Sequence, residues 1–355
     1  MVKSVMRLLL AGIYLILSTV LVLLGKYAPA LIFSFYPTLS RYALTAIAAV
    51  TGLIPIALWE LLLVLLILFF IYSFLRAFTQ MHFLSWITGV AMYASLGVLI
   101  FVALWGLNYY APPMAERLEL PQKEYSVAEL KEATAYYRDM ANQTASSVAR
   151  DENGAMLPGD FSILSERAGE GFETLSESMD CLDGSTVRVK PLLSSSLMAA
   201  SGTTGIFIPF TAESSVSKLT YSAALPFTMC HEIGHRMAFA REDEANFAGF
   251  LACSVSEYDE FRYSGYYMAF RYCYNALYRV DANAASEIWK GVSSALAADC
   301  NASAKHYEEV RSEAVSAITD KVYDNYLKTF DVESGVQSYG EVADLLITWY
   351  FEEIQ

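Results

Sequence analysis

The first 110 residues of the chain contain three long runs of apolar side chains. These runs cover about 8–24, 54–74 and 86–105, and the second passes through "LLLVLLILFFIY". A helix that crosses a bilayer needs about 20 consecutive, predominantly apolar residues. The pattern therefore predicts three transmembrane helices, which makes residues 1–110 a membrane anchor.

Two features of this region admit alternatives. The first apolar run follows Lys3 and Arg7 as in a signal peptide, but no small-residue cleavage site follows before Lys26, so we favour an anchor. The apolar stretch "YALTAIAAV" at 42–50 ends near a glycine and a proline. We expect an interfacial or partly buried helix there rather than a fourth span.

After the apolar region the pattern becomes that of a folded domain. Residues 111–125 contain paired prolines, which cannot continue a helix, and we interpret them as an extended linker. Ser126 followed by Glu129 forms a capping-box signature that predicts a helix over about 126–148. A second helix is expected near 162–179.

The rest of the domain combines a small sheet with many helices. Between 185 and 211, "STVRVKP" alternates and "TTGIFIPFT" is rich in β-branched and aromatic residues, which predicts strands. Further helices are predicted near 225–238, 242–254, 256–279, 283–298, 303–329 and 339–353. The predicted fold is mainly α, with an α+β domain over 126–355 that has a small β-sheet and a helical C-terminal part.

Charge separates the two halves of the chain. The first 110 residues carry five basic and one acidic side chains, whereas the remainder carries 19 basic and 37 acidic ones. Basic residues before the first run and between the second and third place those segments in the cytoplasm by the positive-inside rule, although Lys26 and Arg41 oppose it. An odd number of spans then places the acidic domain outside. The acidic balance, without any basic patch, argues against nucleic acid as a partner.

The segment "HEIGH" at 231–235 carries the candidate chemistry. Pro226 suits the first turn of a helix, and on that helix His231 and His235 share a face and can chelate one divalent ion. Glu232 lies beside the first ligand without facing the ion, where a general base would take a proton from an activated water. This spacing predicts a metal site, and the five cysteines offer no CxxC alternative.

A catalytic zinc requires a third protein ligand, and the acidic segment "REDEANF" at 241–247 is its expected source. If a second helix runs back antiparallel from about residue 242, hairpin geometry favours Glu244. Glu242 is the alternative, because its spacing to Asn246 resembles the ExxAD pattern of glutamate-ligated zinc peptidases. Asn246 would then support the ligands from behind.

Several segments together carry a family resemblance. "GIFIPFTAE", "PFTMCHEIGHRMAFAREDEANFAGFLAC", "FRYSGYYMAF" and "SYGEVADLLITWYF" resemble, in this order, an uncharacterised family of bacterial membrane proteins known as domain of unknown function 3810. Its members look like three N-terminal spans followed by an HExxH domain. The resemblance implies a multi-pass protein of the bacterial cytoplasmic (inner) membrane and covers essentially the whole chain.

The chain is also similar to the gluzincins, zinc peptidases whose ligands are two histidines and a glutamate. This similarity implies a zincin-like fold that binds Zn²⁺ through His231, His235 and Glu244 or Glu242, with Glu232 as general base. In that fold an edge strand above the metal pairs with extended peptide, which fits "TTGIFIPFT"; an ordinary core strand is the alternative. The expected substrate strand is Gly205, Ile206, Phe207 and Ile208.

One tyrosine completes the expected site. The helix "RYSGYYMAFRYCYNALY" at 262–278 offers phenolic donors for an oxyanion, and we select Tyr266. The sequence thus predicts a membrane-anchored zinc metallopeptidase that contacts the lipid bilayer and hydrolyses a peptide or protein substrate. The alternative is a metal-binding membrane sensor or assembly protein without turnover. A membrane-embedded protease is disfavoured because the motif lies more than a hundred residues beyond the last span.

Overall fold

Three long apolar helices lie near the N-terminus of the computed structural model, which describes residues 2–121, 123–330 and 342–354. In this part of the chain, three helices are long and apolar enough to cross a membrane: α1 (Val2–Tyr27), α4 (Leu58–Thr79) and α5 (Phe83–Leu104). α4 begins later than the predicted residue 54, because Pro55 disfavours helical backbone before it. The three helices are compatible with membrane anchoring.

One end of each of the three helices faces the rest of the protein. α1 and α5 run parallel, because Arg7 Nη1 donates to the Ser85 carbonyl (2.6 Å) near their starts and Gly25 lies against Leu107 near their ends. α4 and α5 form a hairpin through residues 80–82. The ends of α1 and α5 and the start of α4 therefore meet on the side of the domain.

Two shorter helices, α2 (Pro29–Phe33) and α3 (Tyr36–Thr51), connect α1 to α4. One face of α3 is buried, with Leu44 at its centre, and Arg41 Nη1 donates to the Cys181 carbonyl (3.0 Å). Its other side exposes apolar residues such as Leu39 and Val50. This is the partly buried helix that the sequence predicts at 42–50.

A small sheet with order β1-β3-β2 lies beside these helix ends. It comprises β1 (Lys190–Pro191), β2 (Gly205–Ile208) and β3 (Glu213–Val216). β1 pairs with β3 in parallel, and β2 pairs with β3 antiparallel, with Gly205 opposite Val216. The predicted sheet is confirmed, but only the last two residues of "STVRVKP" are in a strand.

The remaining structure is helical, as predicted. The helices are α6 (Met114–Arg117), α7 (Val127–Thr144), α8 (Phe161–Arg167), α9 (Glu170–Ser176), α10 (Ser195–Ala200), α11 (Leu225–Arg236), α12 (Glu242–Ser254), α13 (Asp259–Val280), α14 (Ala282–Trp289), α15 (Ser294–Val310), α16 (Glu313–Thr329) and α17 (Val342–Trp349). Ser126 and Glu129 form the predicted capping box of α7. The predicted start of the last helix, at 339–341, lies outside the described residues.

Several predicted segments differ from the structure. The helices expected at 283–298 and 303–329 are instead α14, α15 and α16, with breaks after Trp289 and Val310. The helix expected near 162–179 is divided between α8 and α9, because Gly169 approaches the Thr186 carbonyl so closely that a Cβ there would lie 2.4 Å from the oxygen. The expected linker at 111–125 is not extended throughout: it contains α6, and Met114 is fully buried in the main core. An apolar side chain at this position is drawn into the core by the hydrophobic effect.

A buried ion pair joins the sheet to the start of α4. The Glu213 carboxylate accepts from the backbone N–H groups of Leu58 (2.9 Å) and Trp59 (2.8 Å), and it pairs with the Lys190 ammonium. Both charged side chains are almost completely buried. Removal of one partner from such a pair leaves an uncompensated charge inside the protein.

We therefore expect Glu213→Ala to lower the free energy of unfolding by about 3–5 kcal/mol. The measurement is denaturant unfolding of the full chain in detergent micelles. The double variant Lys190→Met/Glu213→Leu removes both charges and should be less destabilised than the single variant. A single variant as stable as the wild type would contradict the role of this pair.

Candidate metal centre

The helix α11 begins as the sequence predicts and presents the two histidines on one face. Pro226 occupies its first turn, where a missing N–H costs no hydrogen bond. The imidazole rings of His231 and His235 lie 4.7 Å apart, measured between centroids. Four-residue spacing on an α-helix therefore places both rings toward one point.

A tight connection returns the chain to these histidines. Ala238 adopts a positive φ of 69° after α11, and α12 then packs against α11. The helices approach closely at Gly249, where a Cβ would lie 3.0 Å from the backbone nitrogen of His231. The absence of a side chain at Gly249 permits that distance, which brings the start of α12 level with the histidines.

Glu242, the first residue of α12, completes a cluster of three possible ligands. Its Oε2 lies 3.4 Å from His231 Nε2, and its Oε1 lies 3.6 Å from His235 Nε2. One ligand atom from each of the three residues lies within 4.8 Å of the others. Tyr323 of α16 donates a hydrogen bond from its hydroxyl to Glu242 Oε1 and so orients this carboxylate.

This donor set fits a zinc ion. Tetrahedral coordination with zinc–ligand distances of about 2.0–2.1 Å separates neighbouring ligand atoms by roughly 3.3–3.5 Å, close to the two nitrogen–oxygen distances observed. His235 Nδ1 lies 2.7 Å from the Phe239 carbonyl oxygen. Because a carbonyl oxygen only accepts, Nδ1 carries a proton, and Nε2 is the ring nitrogen that would lose its proton to bind an ion.

The charges within the cluster reinforce one another. Burial raises the pKa of Glu242, but hydrogen bonds from His231 and His235 outweigh it and hold this pKa well below its ordinary value. Burial likewise lowers the pKa of His235, yet the hydrogen bond and charge of Glu242 raise it to about 9. A site that attracts protons onto nitrogen beside a carboxylate also attracts a divalent cation, and the two compete.

Glu232 stands beside this cluster with a carboxylate that is only partly satisfied. Its Oε2 is buried and has no hydrogen-bond partner within the described residues. Burial raises the pKa of Glu232 to about 7, although the charges of His231 and His235 lower it. Its Oε1 faces Gly205, since a Cβ built on that glycine would lie only 2.3 Å away.

These residues line a cavity of about 1110 Å³. β2 forms one wall, so the residues expected to be a substrate strand, Gly205, Ile206, Phe207 and Ile208, all border the cavity. β2 is an edge strand of the described sheet, with β3 on one side. Phe101, Trp105 and Tyr109, from the end of α5 and the residues after it, form another part of the wall.

Glu244 does not join the cluster. It accepts a hydrogen bond from the backbone N–H of Met114 (2.8 Å), and burial together with the charge of Asp243 raises its pKa to about 7. Since α12 begins at Glu242, a residue two positions later points about 200° away around the helix. The glutamate that lies in the cluster is thus Glu242, the alternative at the level of the sequence, and not Glu244, which the expected hairpin geometry favours.

Of two further residues selected from the sequence, Asn246 borders the cavity and Tyr266 does not. Asn246 lies one turn after Glu242 and borders the cavity, where its Oδ1 accepts from the Tyr272 hydroxyl (3.0 Å). Tyr266 is not among the residues that line the cavity; its ring packs against Phe250 at 5.8 Å. The choice of Tyr266 is thus not supported, because the face of α13 that borders the cavity carries Met268 and Tyr272.

No sequence pattern predicts the two tyrosines near the cluster, Tyr272 and Tyr323. Tyr272 lies on the same tyrosine-rich helix as Tyr266, and only the packing of α13 distinguishes them. Tyr323 lies about 80 residues after Glu242, and no local pattern connects it to the motif. The contact between α16 and the site arises from tertiary structure alone.

The fold and site define a mainly helical protein with three apolar N-terminal helices, a small sheet and a buried His-His-Glu cluster that could hold a metal. Residues 34–347 match the family described as "Protein of unknown function (DUF3810)". The chain belongs to this family. No curated protein and no solved structure gives a significant match.

Proposed function

We propose that this protein is a membrane-anchored, zinc-dependent metallopeptidase. The observation that carries the proposal is the buried cluster of His231, His235 and Glu242 beside the partly unsatisfied carboxylate of Glu232. Two histidines and one carboxylate are a ligand set typical of catalytic zinc, and a fourth position remains for water or substrate. The large adjoining cavity offers room for a polypeptide.

Two groups would share the work of peptide hydrolysis: a bound zinc ion and the Glu232 carboxylate. A bound zinc ion would acidify a water molecule and polarise the scissile carbonyl. Glu232 then accepts a proton from the attacking water and delivers it to the leaving amine. In the metal-free protein, burial already raises the pKa of Glu232 to about 7, and a general base works best when its pKa is near the ambient pH.

The edge of β2 supports a peptide as the substrate. An extended peptide can add to an exposed strand through backbone hydrogen bonds, which provide affinity without requiring a particular side chain. Gly205 lies on this edge directly against Glu232, so a peptide aligned along β2 passes the general base. This arrangement favours a peptide or protein over a compact small molecule.

The N-terminal helices support an anchored enzyme. Three spans with Lys3 and Arg7 on the cytoplasmic side would place the catalytic domain on the outer face of the bacterial cytoplasmic membrane. Most apolar side chains of α4 are exposed in the isolated chain, as expected for a lipid-facing helix. The bilayer is accordingly proposed as a permanent partner.

The proposal is tested by incubating the full chain in detergent or nanodiscs with a mixture of unstructured peptides. New N-termini, identified by mass spectrometry, should form with the metal-loaded protein, disappear on chelation and return when zinc is restored. Zinc binding without hydrolysis would contradict the peptidase and support a metal-binding sensor or assembly protein.

We expect Gly205→Ala to reduce peptide hydrolysis by about 10²-fold, since displacement of a catalytic group by about 1 Å has effects of this size. A Cβ at this position would collide with Glu232 Oε1, so the carboxylate must move. Metal content should be unchanged, because Gly205 does not contact the three ligands. Wild-type activity of Gly205→Ala would contradict the placement of Glu232 as the base.

A further inference from the structure

The cavity is built directly onto the apolar helices. Phe101 belongs to the last turn of α5, and Trp105 and Tyr109 follow it; all three line the cavity. The Trp105 ring lies 6.2 Å from the His235 ring, and its Nε1 donates to the His235 carbonyl (3.4 Å). The Trp105 side chain therefore connects the metal cluster to the end of α5, a helix that is long enough to span a membrane.

Two sides of the cavity opening are attached to these helices. On one side Glu60, in the first turn of α4, accepts from the backbone N–H groups of Leu193 (2.6 Å) and Ser194 (2.9 Å), immediately before α10. On the other side the turn after β2 places the Phe210 ring 6.2 Å from the Phe101 ring. The opening is thus held at the level where α4 begins and α5 ends.

Three apolar side chains beside this opening are exposed. We call Leu193, Leu197 and Phe210 the mouth residues; their exposed fractions are 57%, 65% and 51%. Leu197 and Phe210 also line the cavity, so the apolar surface continues inward. Exposed apolar side chains at the entrance to a cavity with an apolar wall are suited to contact a lipid or polypeptide partner.

Few charged side chains line the cavity within the described residues, and those other than Glu232 and the cluster are exposed. Apart from the histidines, Glu232 and Glu242, the charged residues among the described lining are Arg311 and Asp320. These two pair with each other at 2.9 Å. Within the described lining, an apolar polypeptide segment therefore meets few charges beyond Glu232 and the cluster, and these form one exposed ion pair.

We propose that the substrate is a membrane-anchored polypeptide, cut within an extended apolar stretch close to its anchor. The stretch passes the mouth residues from the bilayer surface and aligns with β2. This inference rests on the proposed peptidase function. In the reaction the amide C–N bond breaks, water supplies the hydroxyl on the new carboxyl carbon, and the leaving nitrogen takes up a proton.

The test uses the full chain in lipid vesicles with three substrates that contain the same apolar cleavable stretch. One joins it to a transmembrane anchor through about six residues, a reach of roughly 20 Å. The second inserts a rigid helical spacer of about 40 residues, which holds the stretch roughly 60 Å away. The third has no anchor. The first two share the benefit of co-localisation and differ only in distance from the bilayer.

We expect the short-spacer substrate to be cleaved at least tenfold faster than the long-spacer one, with the cut next to the anchor. Equal rates for the two anchored substrates, with the unanchored peptide also cleaved, would overturn the inference while preserving the peptidase. If no substrate is cleaved, the proposed function fails, and binding decides the inference separately.

Binding is measured by photo-crosslinking in the Glu232→Gln background, with a photoreactive residue at position 197 in the mouth. Crosslinks should form with the short-spacer substrate and be at least tenfold weaker with the long-spacer one; equal yields would overturn the inference. A photoreactive residue in place of Val280, which is equally exposed (62%) at the end of α13, is the matched control and should crosslink neither substrate.

A pair of substitutions tests whether an apolar side chain matters because it lies at the mouth of the cavity or merely because it is exposed. Phe210→Ser should lower cleavage of the short-spacer substrate at least fivefold, because it removes an apolar contact at the opening. Val280→Ser removes an exposed apolar group elsewhere and should have no effect. Equal rates for both variants and the wild type would contradict the role of the mouth residues, even if each variant folds normally.

Discussion

Glu232→Gln is expected to reduce peptide hydrolysis by about 10³-fold while zinc remains bound, within the range of general acid–base contributions. Glutamine has nearly the same shape as glutamate but cannot take a proton from water at neutral pH. The three proposed ligands, His231, His235 and Glu242, are untouched. The variant should therefore separate metal binding from proton transfer.

The measurement compares initial rates of peptide cleavage and metal content by mass spectrometry on the same samples. Glu244→Gln is the matched control, because Glu244 is also a buried glutamate with a pKa raised to about 7 but contacts the Met114 backbone instead. It should retain hydrolysis. An active Glu232→Gln protein would exclude this residue as the base.

The second large effect is expected for the third ligand. Glu242→Gln should weaken zinc binding by more than about 10²-fold, since loss of groups that merely support ligands already costs 10–100-fold. The neutral amide is a weaker donor and removes the negative charge beside His231 and His235. Competition with a chromophoric chelator measures the affinity directly.

Glu244→Gln again serves as the comparison, because its amide oxygen can still accept from the Met114 N–H. It should bind zinc as the wild type does. The reverse result, with zinc lost in Glu244→Gln and kept in Glu242→Gln, would restore Glu244, which the expected hairpin geometry favours, and contradict the observed arrangement of α12.

Strong local patterns explain what the sequence reveals about this fold. Runs of about 20 predominantly apolar residues predict α1, α4 and α5, because a helix of this length and composition can span a bilayer. The four-residue spacing of His231 and His235 fixes their common face as soon as α11 forms. These features depend on neighbouring residues only, and the structure reproduces them.

Which glutamate joins the two histidines depends on the conformation of the connection between α11 and α12, which residue spacing alone does not determine. The positive φ of Ala238 and the start of α12 at Glu242 decide which carboxylate faces the histidines. A helix that began two residues later would have presented Glu244. The choice between these glutamates therefore requires the conformation of one short connection.

The sequence does not predict which tyrosines lie near the cluster or which residues form the cavity wall. Tyr323 reaches Glu242 from α16, and Trp105 reaches His235 from the end of α5, across more than 80 residues in each case. Neither contact leaves a periodic signal. The attachment of the cavity to the apolar helices is a property of the folded chain.

The most direct measurement is a zinc titration of the metal-free full chain, with bound zinc and peptide hydrolysis read in the same samples. Hydrolysis should rise in proportion to zinc occupancy and stop rising at about one zinc per chain. Full occupancy without hydrolysis of any peptide, anchored or free, would contradict the assignment of this cluster as the centre of a peptidase.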